Sequence, residues 1–272
     1  MKPEDRELIA QLCAARSGQR VDPAKDYVLE TRLSPVARRE GFDNIGDLVA
    51  ALRTRREDRL IWAVVEAMAP NETAFFRDRE LFDRFEHEIL PALAKGRTGQ
   101  PIRIWSAACG SGQEVYSLAM LLDELADRFP EARFELFASD LSERALEKAQ
   151  SGLYTQFEVQ RGLPIRRLVR HFEKAGATWE LSPRLRQDIR WRRLNLVSDL
   201  SRVRGFDVIF CPHVIECMIE PARARVAENL AAALNPGGAV LFAAGEDPTL
   251  LSEALKPGVG AGVFTGHRRA AA

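Results

Sequence analysis

The chain has 272 residues, enough for one large domain or for one domain with a small companion. Hydrophobic residues make up 46% and charged residues 29%, with a formal net charge of zero and a pI of about 6.9. That balance reads as a soluble globular protein and speaks against strong bulk attraction to nucleic acid. No apolar run reaches the length of a membrane span, and the start Met1-Lys-Pro-Glu-Asp-Arg6 lacks a signal-peptide core, so the cytoplasm is the expected compartment. Cys13, Cys109, Cys211 and Cys217 show no metal-ligand spacing and no disulfide framework.

Residues from about 4 to 70 read as short helices. Leu8, Ile9, Leu12 and Cys13 form one stripe, Ile45, Leu48, Val49 and Leu52 a second, and Leu60, Ile61, Val64, Val65 and Met68 a third. Gly18, Pro23, Pro35, Gly41 and Gly46 punctuate them, and Arg53, Arg55 and Arg56 suit a solvated helix face. Pro70 ends this helical module. Asn71-Glu-Thr-Ala-Phe-Phe-Arg-Asp78 then mixes polar and aromatic residues, as a pocket lining or a docked linker would. A helix through Leu81, Phe82, Phe85, Ile89 and Leu90 follows, closed by Pro91 and the Gly96 to Gly99 turn.

The central stretch is Arg103-Ile-Trp-Ser-Ala-Ala-Cys-Gly-Ser-Gly-Gln-Glu-Val-Tyr-Ser117: a buried strand, a glycine turn and the start of a helix. A turn at the carboxyl edge of a first strand is where open α/β sheets bind nucleotides. Gly110-Ser-Gly112 lacks the third glycine of a dinucleotide site, and Glu114 at the helix start repels a phosphate. A P-loop also fails, because no Gly-Lys-Ser/Thr follows. A nucleoside with a neutral or positive group remains, which S-adenosylmethionine satisfies; an ordinary tight turn is the alternative.

Phe134-Glu-Leu-Phe-Ala-Ser-Asp140 reads as a second buried strand whose terminal acid either holds ribose hydroxyls or caps the next helix. Trp179-Glu-Leu-Ser182 and Ile189-Arg-Trp-Arg-Arg-Leu194 alternate as two antiparallel strands with a turn at Pro183. From Arg161 to Arg204, twelve Arg and Lys face four acids, which fits either an acidic partner or a solvated face. Phe206-Asp-Val-Ile-Phe-Cys211 is a further buried strand. A helix from about Glu220 to Leu234, a turn at Asn235-Pro-Gly-Gly238, a strand at Ala239 to Ala244 and an edge strand near Val263-Phe264 complete the pattern. Strand and helix in alternation predict an α/β fold, a doubly wound and largely parallel sheet.

In this order, Asn71 to Arg77, Ile104 to Ser117, Ser139-Asp-Leu141, Tyr154-Thr-Gln-Phe-Glu-Val-Gln-Arg-Gly-Leu-Pro164, Asn195-Leu196 and Phe206 to Cys211 resemble the CheR-type chemotaxis-receptor methyltransferases over nearly the whole chain. The resemblance implies a Rossmann-like S-adenosylmethionine-dependent methyltransferase sheet (81–272), a small N-terminal helical domain (1–70), a linker contributing to the cofactor site (71–80) and an inserted antiparallel β-subdomain at about 165–193. It implies methyl transfer to glutamates on the cytoplasmic helices of chemotaxis receptors, by a protein expected to be monomeric and without nucleic acid or membrane insertion. Carried over by position, the cofactor contacts are Asn71, Thr73, Arg77, Glu114, Asp140, Asn195, Leu196, His213 and Val214.

The chain departs from the family at one strand edge. Relatives typically read Phe-Cys-Arg-Asn-Val-Leu-Ile-Tyr-Phe where this chain has Phe210-Cys-Pro-His-Val-Ile-Glu-Cys-Met218. Pro212 replaces the arginine, His213 the asparagine at the cofactor edge, and Cys217 the tyrosine near the reacting carboxylate. A glutamate is already ionised at neutral pH and needs no general base, so the protein must align and desolvate it. Arg77 and Cys217 are the expected catalytic positions, with the Arg77 fork orienting the carboxylate. Two readings stay open: an active protein-glutamate methyltransferase, or a weakly active or inactive relative that binds S-adenosylmethionine or S-adenosylhomocysteine as a regulatory interaction module.

Overall fold

The computed structural model describes residues 1–55, 57–70, 72–95, 99–250 and 252–266, and the chain divides into two units. The first comprises Met1–Pro70 and Ile215–Arg225; the second comprises Asn71–Val214 and Val226–Ala272.

In the first unit, α1 (Pro3–Ser17), α2 (Asp26–Arg39), α3 (Ile45–Arg55) and α4 (Asp58–Met68) bury the expected stripes, with Ile9, Leu48, Leu60 and Val64 sealed from solvent. Pro35 does not punctuate: it lies inside α2, behind buried Leu29 and Leu33. The Arg32 guanidinium donates to the carbonyls of Met68 (2.6 Å) and Ala69 (2.9 Å), binding α2 to the end of α4. Arg53 reaches Asp5 and the Glu4 carbonyl on α1; Arg56 lies outside the described residues. The segment from Ile215 joins this unit through Arg20 N–H donating to the Cys217 carbonyl (2.8 Å) and Ile219 N–H to that of Gly18 (2.9 Å).

The second unit opens with α5 (Arg79–Arg84), a π-helical turn (Phe85–Ile89) and α6 (Leu90–Lys95). Pro91 therefore does not close the helix, and residues 96–98 of the expected turn lie outside the described residues. Having no N–H to give, it sits in the first turn of α6, and the wider turn before it absorbs the mismatch. Next come β1 (Ile102–Ala107), α7 (Gln113–Glu124), β2 (Phe134–Asp140), α8 (Glu143–Ser151), β3 (Leu153–Thr155), α9 (Gln156–Gln160), α10 (Ile165–His171), β4 (Phe172–Ala175), β5 (Thr178–Leu181) and α11 (Pro183–Gln187). β6 (Ile189–Arg193), β7 (Phe206–Phe210), α12 (Glu220–Ala233, whose residues up to Arg225 belong to the first unit), β8 (Leu234–Leu241), β9 (Leu255–Pro257) and β10 (Val263–Gly266) follow.

Seven strands form the main sheet in the order β6-β2-β1-β7-β8-β10-β9, parallel from β6 to β8, with β10 antiparallel to both β8 and β9. The chain winds from β1 outward through β2 to β6, then returns to the other side of β1 as β7. The strand order thus reverses between β1 and β7, and their carboxyl ends border the crevice where such sheets take ligands.

Five expectations for strands and turns are corrected. Ile189–Arg193 does not pair with Trp179–Ser182; it runs parallel to β2, with Asp140 opposite Arg193, while β5 lies between β3 and β4 in a separate antiparallel sheet. Pro183 starts a short helix, not a turn. Asn235-Pro-Gly-Gly238 is a bulge within β8: Phe206 faces Leu234 and Val208 already faces Ala239. β8 ends at Leu241, short of the expected Ala244, and β9 rather than β10 is the edge strand.

The small sheet is joined to the linker through aromatic packing. The buried Phe75 ring meets Tyr154 edge-on at 5.1 Å and Phe172 at 5.7 Å, and Phe75 N–H donates to the Arg161 carbonyl at 3.2 Å. Gly162 (φ +86) makes this approach possible, since a Cβ there would lie 2.0 Å from the Phe75 carbonyl oxygen. Gly162→Ala adds a backbone clash to an unfavourable φ and is expected to cost roughly 2 to 4 kcal/mol, read as a lower urea midpoint in equilibrium unfolding.

Candidate cofactor and active site

The glycine turn is held by the acid at the end of the neighbouring strand. Asp140 Oδ2 accepts Gly110 N–H at 2.8 Å and Oδ1 accepts Ser142 N–H at 2.8 Å, while Cys109 N–H donates to the Ser139 carbonyl at 2.9 Å. Capping α8 falls to Ser142, whose hydroxyl accepts Ala145 N–H at 3.2 Å. An ionised carboxylate offers about four lone-pair directions. The two backbone N–H groups leave capacity for two hydroxyl hydrogens, which is what a ribose diol presents. Burial raises the pKa of Asp140, against the backbone N–H groups of Ser142 and Gly110 that lower it.

The turn combines Ala108 (φ +58), Gly110 (φ +56) and Gly112 (φ +94). A Cβ on Gly112 would stand 2.8 Å from Ala149 Cβ and 3.0 Å from Tyr154 Oη, so this glycine serves the packing of α7 on α8 and the small sheet. Tyr154 Oη donates to the Ser111 carbonyl at 2.7 Å, bracing the turn from beneath. Thr73 leans on its upper side, its methyl 3.5 Å from where a Gly110 Cβ would stand.

Glu114, in the first turn of α7, accepts the Ser106 hydroxyl at 2.7 Å. Burial pushes its carboxyl up to about 7; Ser106 opposes this, Asp78 and Glu246 add repulsion, and Arg77 attracts. A carboxylate held so unfavourably favours a cation placed beside it. Arg77 is exposed, with Nη1 donating to the Glu72 carbonyl. Asn195 follows β6 directly after Leu194, whose N–H donates to the Asp140 carbonyl at 2.9 Å, so Asn195 lies at the same sheet edge. Leu196 is buried, and its carbonyl accepts Asn229 Nδ2 at 2.7 Å. His213 and half-buried Val214 follow β7; Asn71 lies outside the described residues.

Thr73, Arg77, Glu114, Asp140, Asn195, Leu196, His213 and Val214 thus all belong to the second unit. Cys217 belongs to the first, where it lines a cavity of about 780 Å³ with Arg20, Lys25, Arg32, Tyr27 and Glu216. Sequence reasoning passed over Asp78, Ser106, Ser117 and Glu246. Asp78 adjoins Arg77, and Glu246 is an acid just past a strand, the same signal that picked out Asp140. Ser117, whose hydroxyl accepts Phe76 N–H at 3.0 Å, looks in sequence like any helix serine.

Residues 71–254 match the CheR methyltransferase SAM-binding domain, and residues 4–69 match the CheR methyltransferase all-alpha domain. The chain belongs to the CheR methyltransferase family. Chemotaxis protein methyltransferase 1 of Pseudomonas aeruginosa is 34% identical over 246 residues, 89% of this chain and 89% of that protein. Chemotaxis protein methyltransferase 1 of Vibrio cholerae is 35% identical over 234 residues, 85% of this chain and 84% of that protein. Among solved structures, a TehB-like SAM-dependent methyltransferase from Corynebacterium glutamicum aligns with TM-score 0.40 and 17% identity over 70% of this chain and 94% of that one.

As a CheR methyltransferase, the protein is S-adenosylmethionine-dependent. The residues fit that cofactor on their own chemistry: a carboxylate with two hydrogen-bond sites to spare, a turn opened by positive φ angles, and buried acids suited to a sulfonium. Among the described residues, no helix is long and apolar enough to cross a membrane.

The Glu114 shift carries a sign that can be measured. An acid whose folded-state pKa is raised binds more protons folded than unfolded, so its contribution to stability falls as pH climbs from the ordinary carboxyl range to about 7, and is level above. Glu114→Gln is therefore expected to gain thermal stability relative to wild type at about pH 8 and not at about pH 4. Binding S-adenosylmethionine near pH 6.5 should release part of a proton, seen as a buffer-dependent calorimetric enthalpy, and Glu114→Gln should abolish it. Asp140→Ala is expected to weaken S-adenosylhomocysteine binding by roughly a hundredfold, through loss of both the ribose acceptor and the Gly110 anchor.

Proposed function

We propose that the protein transfers the methyl group of S-adenosylmethionine to glutamate side chains on the cytoplasmic helices of chemotaxis receptors, giving glutamate methyl esters, and that it does so as a cytoplasmic monomer. The reading is carried by the pairing of a cation-favouring crevice, with Glu114 pushed up to about 7, with the exposed Arg77 at the end of the linker. The names of its relatives, chemotaxis protein methyltransferases, supply the substrate class.

When bound, S-adenosylmethionine supplies an activated methyl group on a positively charged sulfur. Asp140 holds the ribose hydroxyls with its two remaining acceptor sites. Thr73, Asn195, Leu196, His213 and Val214 line the same site, and Glu114 stabilises the positive end. Arg77 would orient the acceptor glutamate so that a carboxylate oxygen faces the methyl carbon in line with the carbon–sulfur bond, which would break with its electron pair going to sulfur as the ester bond forms. No proton moves, and the protein's resolved bases are not required. A guanidinium gripping both carboxylate oxygens would blunt the nucleophile; the tie of Arg77 Nη1 to the Glu72 carbonyl divides the fork and favours orientation over neutralisation. In the sequence Cys217 takes the place of a tyrosine carried by relatives, and a thiol is a weaker donor.

The test is incubation with methyl-labelled S-adenosylmethionine and a receptor cytoplasmic fragment. Label that is released as methanol by mild base, and lost when the receptor's acceptor glutamates are changed to alanine, supports the ester; cofactor binding without labelling supports the interaction module instead. Arg77→Ala is expected to lower kcat/KM for the receptor by roughly tenfold to a hundredfold while S-adenosylhomocysteine affinity changes less. Cys217→Tyr should raise turnover by roughly five- to tenfold in the same assay.

A further inference from the structure

His213 has an unusual backbone for its size. Its φ is +63, a left-handed conformation that disfavours a branched or bulky side chain, and its N–H donates to Glu246 Oε2 at 2.8 Å. The same Glu246 oxygen accepts Ala243 N–H at 3.0 Å, and Glu246 is only 8% exposed. A buried acid just past β8 thus fixes the main chain just past β7.

The imidazole that this conformation presents meets the linker. His213 Nε2 lies 3.5 Å from Asp78 Oδ2, with the two side chains 27% and 18% exposed. Asp78 is the N-cap residue of α5, a position where an aspartate ordinarily accepts N–H groups of the first turn, yet its side chain makes no cap hydrogen bond. The carboxylate faces His213 in place of its own helix.

We propose that Glu246, His213 and Asp78 form a latch that fastens the linker Glu72–Asp78 to the carboxyl edge of the sheet. Glu246 holds the His213 backbone in its left-handed turn, the imidazole engages Asp78, and the linker is pinned with Thr73 against the glycine turn and Arg77 beyond it. His213 is on this reading a positioning residue for Thr73 and Arg77. The inference rests on the reading that the linker borders the cofactor site, and it assigns the closing of that border to three residues. Besides its ring contacts, the linker donates two further main-chain hydrogen bonds to the second unit among the described residues: Phe75 N–H to the Arg161 carbonyl, and Phe76 N–H to Ser117 Oγ. Those two amides are therefore reporters of how often the linker lifts. Ligand affinity falls with the fraction of molecules in the closed state, so loosening the latch through Asp78 weakens binding without removing a residue that lines the cofactor site.

The experiment is amide hydrogen exchange of the ligand-free full chain, read by mass spectrometry on peptides covering Phe75 and Phe76. It compares wild type, His213→Gly, Asp78→Asn and the double variant. Glycine is chosen because it removes the imidazole while relieving the left-handed backbone, so the melting temperature is expected to hold or rise. Each single variant should speed exchange at these amides by roughly three- to tenfold, and the double variant should be no faster than the quicker single, the mark of one shared contact. S-adenosylhomocysteine affinity should fall by a similar factor in Asp78→Asn. Unchanged exchange at Phe75 and Phe76 in both singles, or effects that multiply in the double, overturns the latch. Failure of wild type to bind S-adenosylhomocysteine would instead sink the cofactor reading, and the exchange data would still decide the latch.

Discussion

The hydrogen bond from Gly110 N–H to Asp140 ties together the two strands on which the site is built. β1 and β2 run parallel in register from Ile102 opposite Phe134 to Ala107 opposite Ser139, and their chains part at this point. The glycine turn must leave the sheet, reverse and start α7 while keeping its N–H groups satisfied. Asp140 solves that problem with a carboxylate that is itself at the crevice. The residue that shapes the turn is thereby the one proposed to receive the ribose, so a substitution there would disturb both roles at once. Thr73 above the turn and Tyr154 beneath it then have a defined surface to pack on.

Backbone strain is concentrated around the proposed cofactor site. Phe76, Ala108 and His213 are the non-glycine residues with positive φ among the described residues, and they sit in the linker, the β1 turn and the β7 edge. Each conformation costs roughly 1 to 2 kcal/mol. Such strain persists only when surrounding contacts overdetermine it. Here they do: Phe76 is held through Ser117 and by the Arg167 guanidinium 4.2 Å over its ring, Ala108 by the register on either side, and His213 by Glu246. The acids add a second cost of the same kind, since Asp78 and Glu246 both repel the carboxylate of Glu114, which burial already disfavours. Stability is given up at the crevice and recovered in the aromatic packing behind it, where Phe210 contacts Phe82 and Phe85, and Phe75 contacts Tyr154.

The basic stretch from Arg161 to Arg204 resolves largely into local pairs. Arg167 grips Glu124 with two nitrogens, Arg170 and Arg184 reach Asp123, Arg186 reaches Glu180 and Arg190 reaches Glu135. Glu124, Asp123 and Glu135 lie outside the stretch in sequence, so the local excess of cations did not count the acids that fold back against it. Exposed pairs of this sort stabilise by at most about 1 kcal/mol each, and they lower the net field that would attract an acidic partner.

Much of the architecture was written in local pattern: the helical stripes of residues 4 to 70, the buried strands at Ile104, Phe134 and Phe206, and the glycine turn all follow from periodicity and from residues with special backbone freedom. Asp140 and Glu114 were legible because their position at a strand end or helix start is itself local. Strand partnership was not. Ile189–Arg193 alternates as an edge strand of either sheet would, and only the path of the chain back to β2 chose the parallel pairing. Asp78, Ser117 and Glu246 were likewise hidden, because each acts through a residue distant in sequence: Asp78 on His213, Ser117 on Phe76 and Glu246 on the end of β7. Amino-acid order by itself determined which segments could be helix, strand or turn and which of their ends carried acid, since those preferences are local. The tertiary structure alone decided which ends meet, because a hydrogen bond across 30 or more residues depends on where the sheet returns the chain.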